Sequence, residues 1–78
     1  MEHSSKQEGL YDEALRAAAR ASGRTLRDLS RATGIPHPTL HRRLNGTVSF
    51  SFTEAERLSA ALGRNLLSLM LDAERGAA

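Results

Sequence analysis

The sequence predicts an all-α domain of five short helices, and three observations support this. Apolar residues recur at three- or four-residue spacing in five segments, and glycine or Asn-Gly punctuation separates those segments. The only alternating stretch, TVSFSF at 47–52, has no second strand to pair with, so we expect an extended loop there. The 78 residues are the length of one small domain. The chain has no cysteine, which excludes a disulfide framework and a cysteine-bound zinc.

The first helix is predicted to start at Leu10, where helical periodicity begins. Its apolar residues are Leu10, Tyr11, Ala14, Leu15, Ala18 and Ala21. Asp12 and Glu13 suit the start of this helix because its N-terminus carries a partial positive charge. Ser22-Gly23 ends it. Residues 1–9 lack periodicity, so we expect a flexible arm there.

The second and third helices are predicted to meet at a tight turn. Thr25, followed three residues later by Asp28, is a capping-box pattern that opens the second helix. Gly34 ends it, since glycine tolerates the left-handed conformation of a helix stop. Ile35 is then expected to lie between the two helices as an apolar residue. The third helix covers 36–44 because proline is tolerated in a first turn. The inward residues are Leu26, Leu29 and Thr33 in the second helix, and Leu40 and Leu44 in the third.

The remaining chain is predicted to add a loop and two helices. Val48, Phe50 and Phe52 are expected to cover the core from the loop. Thr53 and Glu56 have the spacing of another capping box, which would open a fourth helix that ends at Gly63. Asn65 is a suitable cap for the fifth helix. The folded domain is therefore expected to cover 10–73, with a disordered tail at 74–78.

Positive charge is concentrated in the two central helices. Residues 24–46 carry five arginines against one acid, a net charge of +4, whereas 1–23 and 47–78 each carry −1. Ten of the eleven basic residues in the chain are arginine, which suits bidentate contacts with phosphate and guanine. A basic surface on a compact helical hinge is typical of a protein that docks on duplex DNA. The plainer alternative is a solvated basic helix pair without a DNA function.

Several motifs in this order resemble the lambda repressor/Cro-like (XRE) helix-turn-helix family. The residues that carry the resemblance are Thr25, Leu29, Gly34-Ile35, Thr39-Leu40, Gly46 and the stretch FTEAERLSAALG before a last apolar helix. The resemblance covers about residues 10–72 and implies a compact five-helix, lambda-repressor-like DNA-binding domain. Ser30 departs from the alanine usual in the family. Leu44 follows Leu40 by four residues rather than three, which brings Arg43 nearer the outward face or buries its stem.

The resemblance implies that the helix 36–44 lies in the major groove of double-stranded DNA as the recognition helix. The candidate base-reading residues are His37, Pro38, Thr39, His41 and Arg42. Arg42 is the strongest candidate because a guanidinium can bind guanine through two hydrogen bonds. The candidate phosphate contacts, which would set register without reading sequence, are Arg27, Arg31, Arg43, Asn45, Thr47 and Ser49.

The fifth helix is too apolar for a helix with only one buried side. Leu66, Leu67, Leu69, Met70 and Leu71 together cover most of its circumference. We therefore expect these residues to form a homodimer interface, and a two-fold dimer would recognise a near-palindromic operator. The alternative is that this helix is simply buried in the core of one chain.

The sequence contains no pattern typical of an enzyme, and we expect neither a catalytic residue nor a cofactor. It has no nucleophile elbow and no glycine-rich phosphate loop. His37 and His41 share a helix face but lack a third convincing ligand, so no metal site is expected. No run of about 18 apolar residues could span a bilayer, and the polar N-terminus is not a secretory signal.

The expected protein is a cytoplasmic transcriptional regulator of the Cro/repressor type, from a bacterium or a phage-infected host, that binds no small-molecule substrate. The alternative function is a protein-interaction module, such as the antitoxin of a toxin–antitoxin pair.

Overall fold

The computed structural model describes residues 3–77, with side chains described for 11–72 and for Glu74. Over this range the chain forms five α-helices and no strand, as predicted. The helices are α1 (His3–Ser22), α2 (Leu26–Thr33), α3 (His37–Leu44), α4 (Phe52–Ala61) and α5 (Leu66–Ala77). Helix α1 packs against α4 and α5, and α2 packs against α3 and α4. Leu15, Leu29, Leu40 and Leu58, one from each of α1 to α4, are completely buried at the centre of the core.

Helix α1 begins at His3, seven residues before the predicted start at Leu10. The predicted flexible arm is therefore wrong over 3–9, which are helical, while residues 1 and 2 lie outside the described range. Extending an established helix costs far less than nucleating one, so polar residues without proline can continue it away from the core. Asp12 and Glu13 consequently lie in the middle of α1 rather than in its first turn, and Ala21 is exposed.

The turn between α2 and α3 is stabilised by local hydrogen bonds. The Thr25 hydroxyl oxygen accepts from the Asp28 amide at 3.0 Å, as the capping pattern predicts. The buried Thr33 hydroxyl donates to the Leu29 carbonyl at 2.7 Å and accepts from the Ile35 amide at 3.1 Å. Gly34 has a φ of 77°, where a β-carbon would be strained. These contacts fix the direction in which α3 leaves the turn.

Ser30 reinforces the same turn from α2. Its hydroxyl donates to the Ile35 carbonyl at 2.6 Å. A serine where the family usually has alanine is therefore an additional link between α2 and the turn. Ile35 is buried between the helices, as predicted.

The loop before α4 differs from the prediction in two ways. Only Phe50 is buried, whereas Val48 and Phe52 are exposed. The capping box is formed by Ser51 and Glu54 rather than by Thr53 and Glu56. Both pairs have the same spacing, but the first register also lets Glu54 reach α3.

Helix α5 opens with Asn65, whose side-chain oxygen accepts from the Ser68 amide at 3.2 Å, as predicted. The helix continues to Ala77, so the predicted disordered tail is wrong over 74–77, and Ala78 lies outside the described range. Leu69 is buried at 4% exposure in the core of its own chain. This corrects its assignment to the dimer interface, because a core side chain is not available to a second subunit.

Candidate nucleic-acid interface

Helix α3 is anchored on its inner side and open on its outer side. Leu40 is completely buried and Leu44 packs against the core. At about 100° per residue, Pro38 and Arg42 lie opposite Leu40, with Thr39 and His41 on the two flanks. The first turn adds His37, four residues before His41 on the same side.

The candidate base-reading residues differ in exposure. His37, Pro38, His41 and Arg42 are exposed, and we call these four residues the reading face; Thr39 is half-buried at its margin. No hydrogen bond or ion pair occupies their side chains within the described part of the chain. Two imidazoles and one guanidinium are therefore free to donate to an external acceptor.

The start of α3 has no side-chain cap. Pro36 is the N-cap and makes no side-chain hydrogen bond, and a second proline follows in the first turn. Two of the amides that a helix N-terminus normally presents are thus absent. Recognition at this end would depend on the side chains of His37 and Pro38.

Two candidate phosphate contacts lie on the outer side of α2. Arg27 and Arg31 are four residues apart, opposite the buried Leu29, and both are exposed. Neither has an ion-pair partner among the described side chains. Both guanidiniums are therefore available to an external anion.

Asn45 and Thr47, also candidate phosphate contacts, are bonded to each other in the turn after α3. The Asn45 side-chain oxygen accepts from the Thr47 amide at 2.9 Å and from its hydroxyl at 2.6 Å. Both residues are exposed. The turn is thus ordered in advance, and the Asn45 amide nitrogen is left as its outward donor.

Arg43 forms an ion pair within its own chain, which corrects the prediction that it contacts a phosphate. Its Nε and Nη2 donate to the two carboxylate oxygens of Glu54 at 2.9 and 3.3 Å. The hydrogen bond from Arg43 lowers the pKa of the Glu54 carboxyl below its usual value, aided by the Ser51 amide and opposed by partial burial. A guanidinium bound in this bidentate manner ties α3 to α4.

Ser49 is likewise used internally, in place of its predicted phosphate contact. Its hydroxyl donates to Asp12 Oδ2 at 2.7 Å, and the Phe50 amide donates to Asp12 Oδ1 at 3.1 Å. Asp12 is only 4% exposed, so this buried carboxylate fastens the loop after α3 to α1. Asp12 was predicted to stabilise the start of α1, but it lies in the interior of that helix and binds the loop instead.

Two further residues of α1 stabilise the end of α3 and the loop after it. Arg16 Nε donates to the Arg43 carbonyl at 2.9 Å, and the Tyr11 hydroxyl donates to the Phe50 carbonyl at 3.2 Å. We call Tyr11, Asp12 and Arg16 the α1 clamp. The sequence does show that Asp12 and Arg16 are four residues apart on one helix face. This spacing does not identify the distant residues that they contact.

Helix α5 presents only part of its predicted dimer surface. Leu67 and Leu71 are 62% and 48% exposed, whereas Leu66 packs against the core and Met70 is half-buried. A cavity of about 470 Å³ lies between α4 and α5, lined partly by Phe52, Leu67 and Met70. The outer side of α5 is thus an open apolar surface.

The described residues contain no group of three or more histidine, cysteine or acidic side chains that could hold a metal ion. No helix there has the length and apolar character needed to cross a membrane.

A family model described as helix-turn-helix matches residues 15–69, which is more than half of the chain. The match begins within α1, covers α2 to α4 and ends within α5. Comparisons with curated proteins and with solved structures gave no match. Proteins of the matched family are DNA-binding regulators. The chain therefore belongs to the XRE-type, lambda repressor/Cro-like helix-turn-helix family.

Proposed function

We propose that this chain is a sequence-specific transcriptional regulator of the Cro/repressor type that inserts α3 into the major groove of double-stranded DNA. The observation that supports this is the reading face, whose four residues are exposed on a helix anchored through Leu40. An anchored helix with free donors on its outer side can contact base edges without rearranging.

Each residue of the reading face has a chemical task in this proposal. Arg42 donates two hydrogen bonds to O6 and N7 of a guanine. His37 and His41 donate to base acceptors or phosphate oxygens, and Pro38 offers an apolar contact to a thymine methyl group. Thr39, at the margin, can donate through its hydroxyl.

Arg27 and Arg31 from α2, and Asn45 from the turn after α3, are the proposed phosphate contacts on either side of the reading face. Thr47 supports Asn45 instead, because its amide and its hydroxyl both donate to the Asn45 side-chain oxygen. Phosphate contacts fix the register of the protein on the duplex. Because they neutralise phosphate charge, they also make the affinity depend on salt.

Selection from a random duplex pool tests the proposal. The expected result is a short enriched motif with two near-palindromic half-sites about one helical turn apart. The variant Leu40→Ala, which removes a core side chain beneath the reading face, serves as a folding-deficient control. Enrichment of no motif, together with equal binding to all duplexes, would contradict sequence-specific recognition.

We also propose that the chain binds its operator as a homodimer through the outer side of α5. Leu67 and Leu71 are four residues apart on this side, and burying two such leucines against a second copy removes apolar surface from water. The open cavity beside them, with Phe52 at its edge, could receive the same side chains from the partner in an isologous contact.

Sedimentation equilibrium of the free chain tests the dimer. Wild type is expected to approach twice the monomer mass as its concentration rises, while Leu67→Glu stays monomeric. Ala21→Glu, which adds the same charge at an exposed site on α1, should behave as wild type. A monomer at every concentration, both free and on DNA, would contradict the dimer. A stoichiometric unrelated protein that co-purifies from native lysate on this surface would favour the antitoxin function instead.

A further inference from the structure

Two of the four residues of the reading face are histidines, and they lie one helical turn apart. His37 opens α3 and His41 follows four residues later, so both imidazoles are on the same side of the helix. Both residues are exposed, and neither side chain has a hydrogen-bond or ion-pair partner within the described part of the chain. Histidine is the residue type that gains or loses its charge between pH 5 and pH 8. The proposed DNA contacts therefore include two residues of a pH-sensitive type.

Helix α2 packs against α3 and adds mostly positive charge. It carries Arg27 and Arg31 and a single acid, Asp28, in its first turn. None of these side chains is paired with an imidazole of α3 among the described residues. On α3 itself the other charged side chains are those of Arg42 and Arg43. The two helices of the helix-turn-helix unit thus give the imidazoles no carboxylate partner.

The acids of α1 and α4 that stabilise α3 and the loop after it are already bound. Glu54 of α4 accepts both hydrogen bonds from the Arg43 guanidinium. Asp12 of α1 is bound to the loop after α3 and lies 3.9 Å from Arg16. Over the range that the structure describes, no anion is therefore paired with the two histidines before DNA binds.

We propose that DNA binding by this chain is coupled to proton uptake at His37 and His41, an inference that rests on the proposed function. Duplex DNA carries one negative charge per about 1.7 Å of its axis, and a nearby negative charge favours the charged form of an imidazole. A protonated imidazole also donates from both ring nitrogens, whereas the neutral ring has one donor. A histidine that lies against phosphates or base acceptors is thus protonated more readily in the complex than in the free chain. Because such coupling is reciprocal, the affinity for DNA rises as the pH falls.

The affinity for the selected duplex, measured by fluorescence anisotropy at constant ionic strength between pH 8 and pH 6, tests this. Wild type is expected to bind about tenfold more tightly at pH 6 than at pH 8. His37→Gln/His41→Gln keeps hydrogen-bonding side chains that cannot titrate, so its affinity should be nearly equal at the two pH values. Each single glutamine variant should retain part of the dependence. The matched control His3→Gln removes the third histidine of the chain and should follow wild type.

Isothermal titration calorimetry counts the protons directly. Wild-type binding near pH 7, in two buffers of different ionisation enthalpy, should show a net uptake of at most about two protons per chain, and the double glutamine variant should lose that uptake. The Arg43 hydrogen bond lowers the pKa of the Glu54 carboxyl, so this group stays charged above pH 6 and does not contribute. Thermal melting at each pH establishes that every variant is folded before its binding is measured.

The results that overturn the inference are distinguishable from those that overturn the proposed function. Wild type that binds the duplex equally well at pH 6 and pH 8 overturns proton coupling alone. A double glutamine variant that keeps the full pH dependence, or a dependence that is lost in His3→Gln, does the same. Wild type that selects no duplex at either pH overturns the proposed function together with the coupling.

Discussion

Arg42 and Arg43 are adjacent in the sequence but belong to two different regions of the molecule. Arg42 lies on the reading face, exposed and without an internal partner within the described range. Arg43 lies at the junction of α3 and α4, where its guanidinium is bound by both oxygens of Glu54. The +4 charge of the central segment therefore overstates the positive charge that is available to a DNA molecule. One arginine of the five stabilises the fold.

The junction can be perturbed most strongly through the α1 clamp. Asp12→Ala should lower the free energy of unfolding by about 3 kcal/mol, since two hydrogen bonds to a buried carboxylate are lost and the Phe50 amide is left unpaired. That is a large fraction of the stability of so small a domain. Urea denaturation followed by circular dichroism measures it.

The neighbouring Glu13→Ala is the matched control, because Glu13 is exposed on the same helix and should cost less than about 0.5 kcal/mol. Equal stability of the two variants would mean that Asp12 does not hold the loop. The DNA motif selected by folded Asp12→Ala should match wild type, because Asp12 touches no base in the proposed complex.

A comparison of Arg42→Ala with Arg43→Ala distinguishes the role of the reading face from that of the junction. Arg42→Ala should cost about 2 kcal/mol of discrimination at one base pair per half-site and leave the melting temperature unchanged. Arg43→Ala removes the same charge one residue later but should lower the melting temperature and keep the base preference. Quantitative binding to single-base operator variants, with parallel melting curves, distinguishes the two. A base preference altered by Arg43→Ala and not by Arg42→Ala would reverse the assignment.

Local chemistry made much of the fold predictable from sequence. Thr25, Gly34 and Asn65 each act through their own backbone or nearest neighbours, so spacing alone locates the ends of α2 and the start of α5. The burial of Leu29, Leu40 and Leu58 likewise follows from helical periodicity. The start of α1 and the end of α5 were not predicted correctly, because polar residues can continue a helix without leaving a periodic signal.

The roles of the polar residues were less predictable because their partners are distant in sequence. Asp12 meets Ser49 and Phe50 across 37 and 38 positions, and Arg43 meets Glu54 across 11. No local pattern specifies such pairs. The register of the capping box was ambiguous for a related reason, since SFTE and TEAE both satisfy it and the choice depends on whether Glu54 can reach Arg43. Exposure of the reading face, by contrast, followed directly from the inward positions of α3.

Acid titration gives the smallest effect and probes the junction through the carboxyl group of Glu54. The Arg43 hydrogen bond lowers the folded-state pKa of Glu54 below its unfolded value, so the unfolded chain takes up this proton first as the pH falls. The stabilisation is therefore fully present above the ordinary pKa that Glu54 has in the unfolded chain, and it is lost as the pH falls through the lower folded-state pKa. Melting temperatures between pH 6 and pH 3 should decline more steeply for wild type than for Glu54→Gln, which cannot titrate at this position. Glu56→Gln, an exposed neighbour on α4, should decline as wild type does. Parallel curves for wild type and Glu54→Gln would show that the Arg43–Glu54 pair adds nothing measurable to stability, and the contrast between Arg42 and Arg43 would then be one of exposure alone.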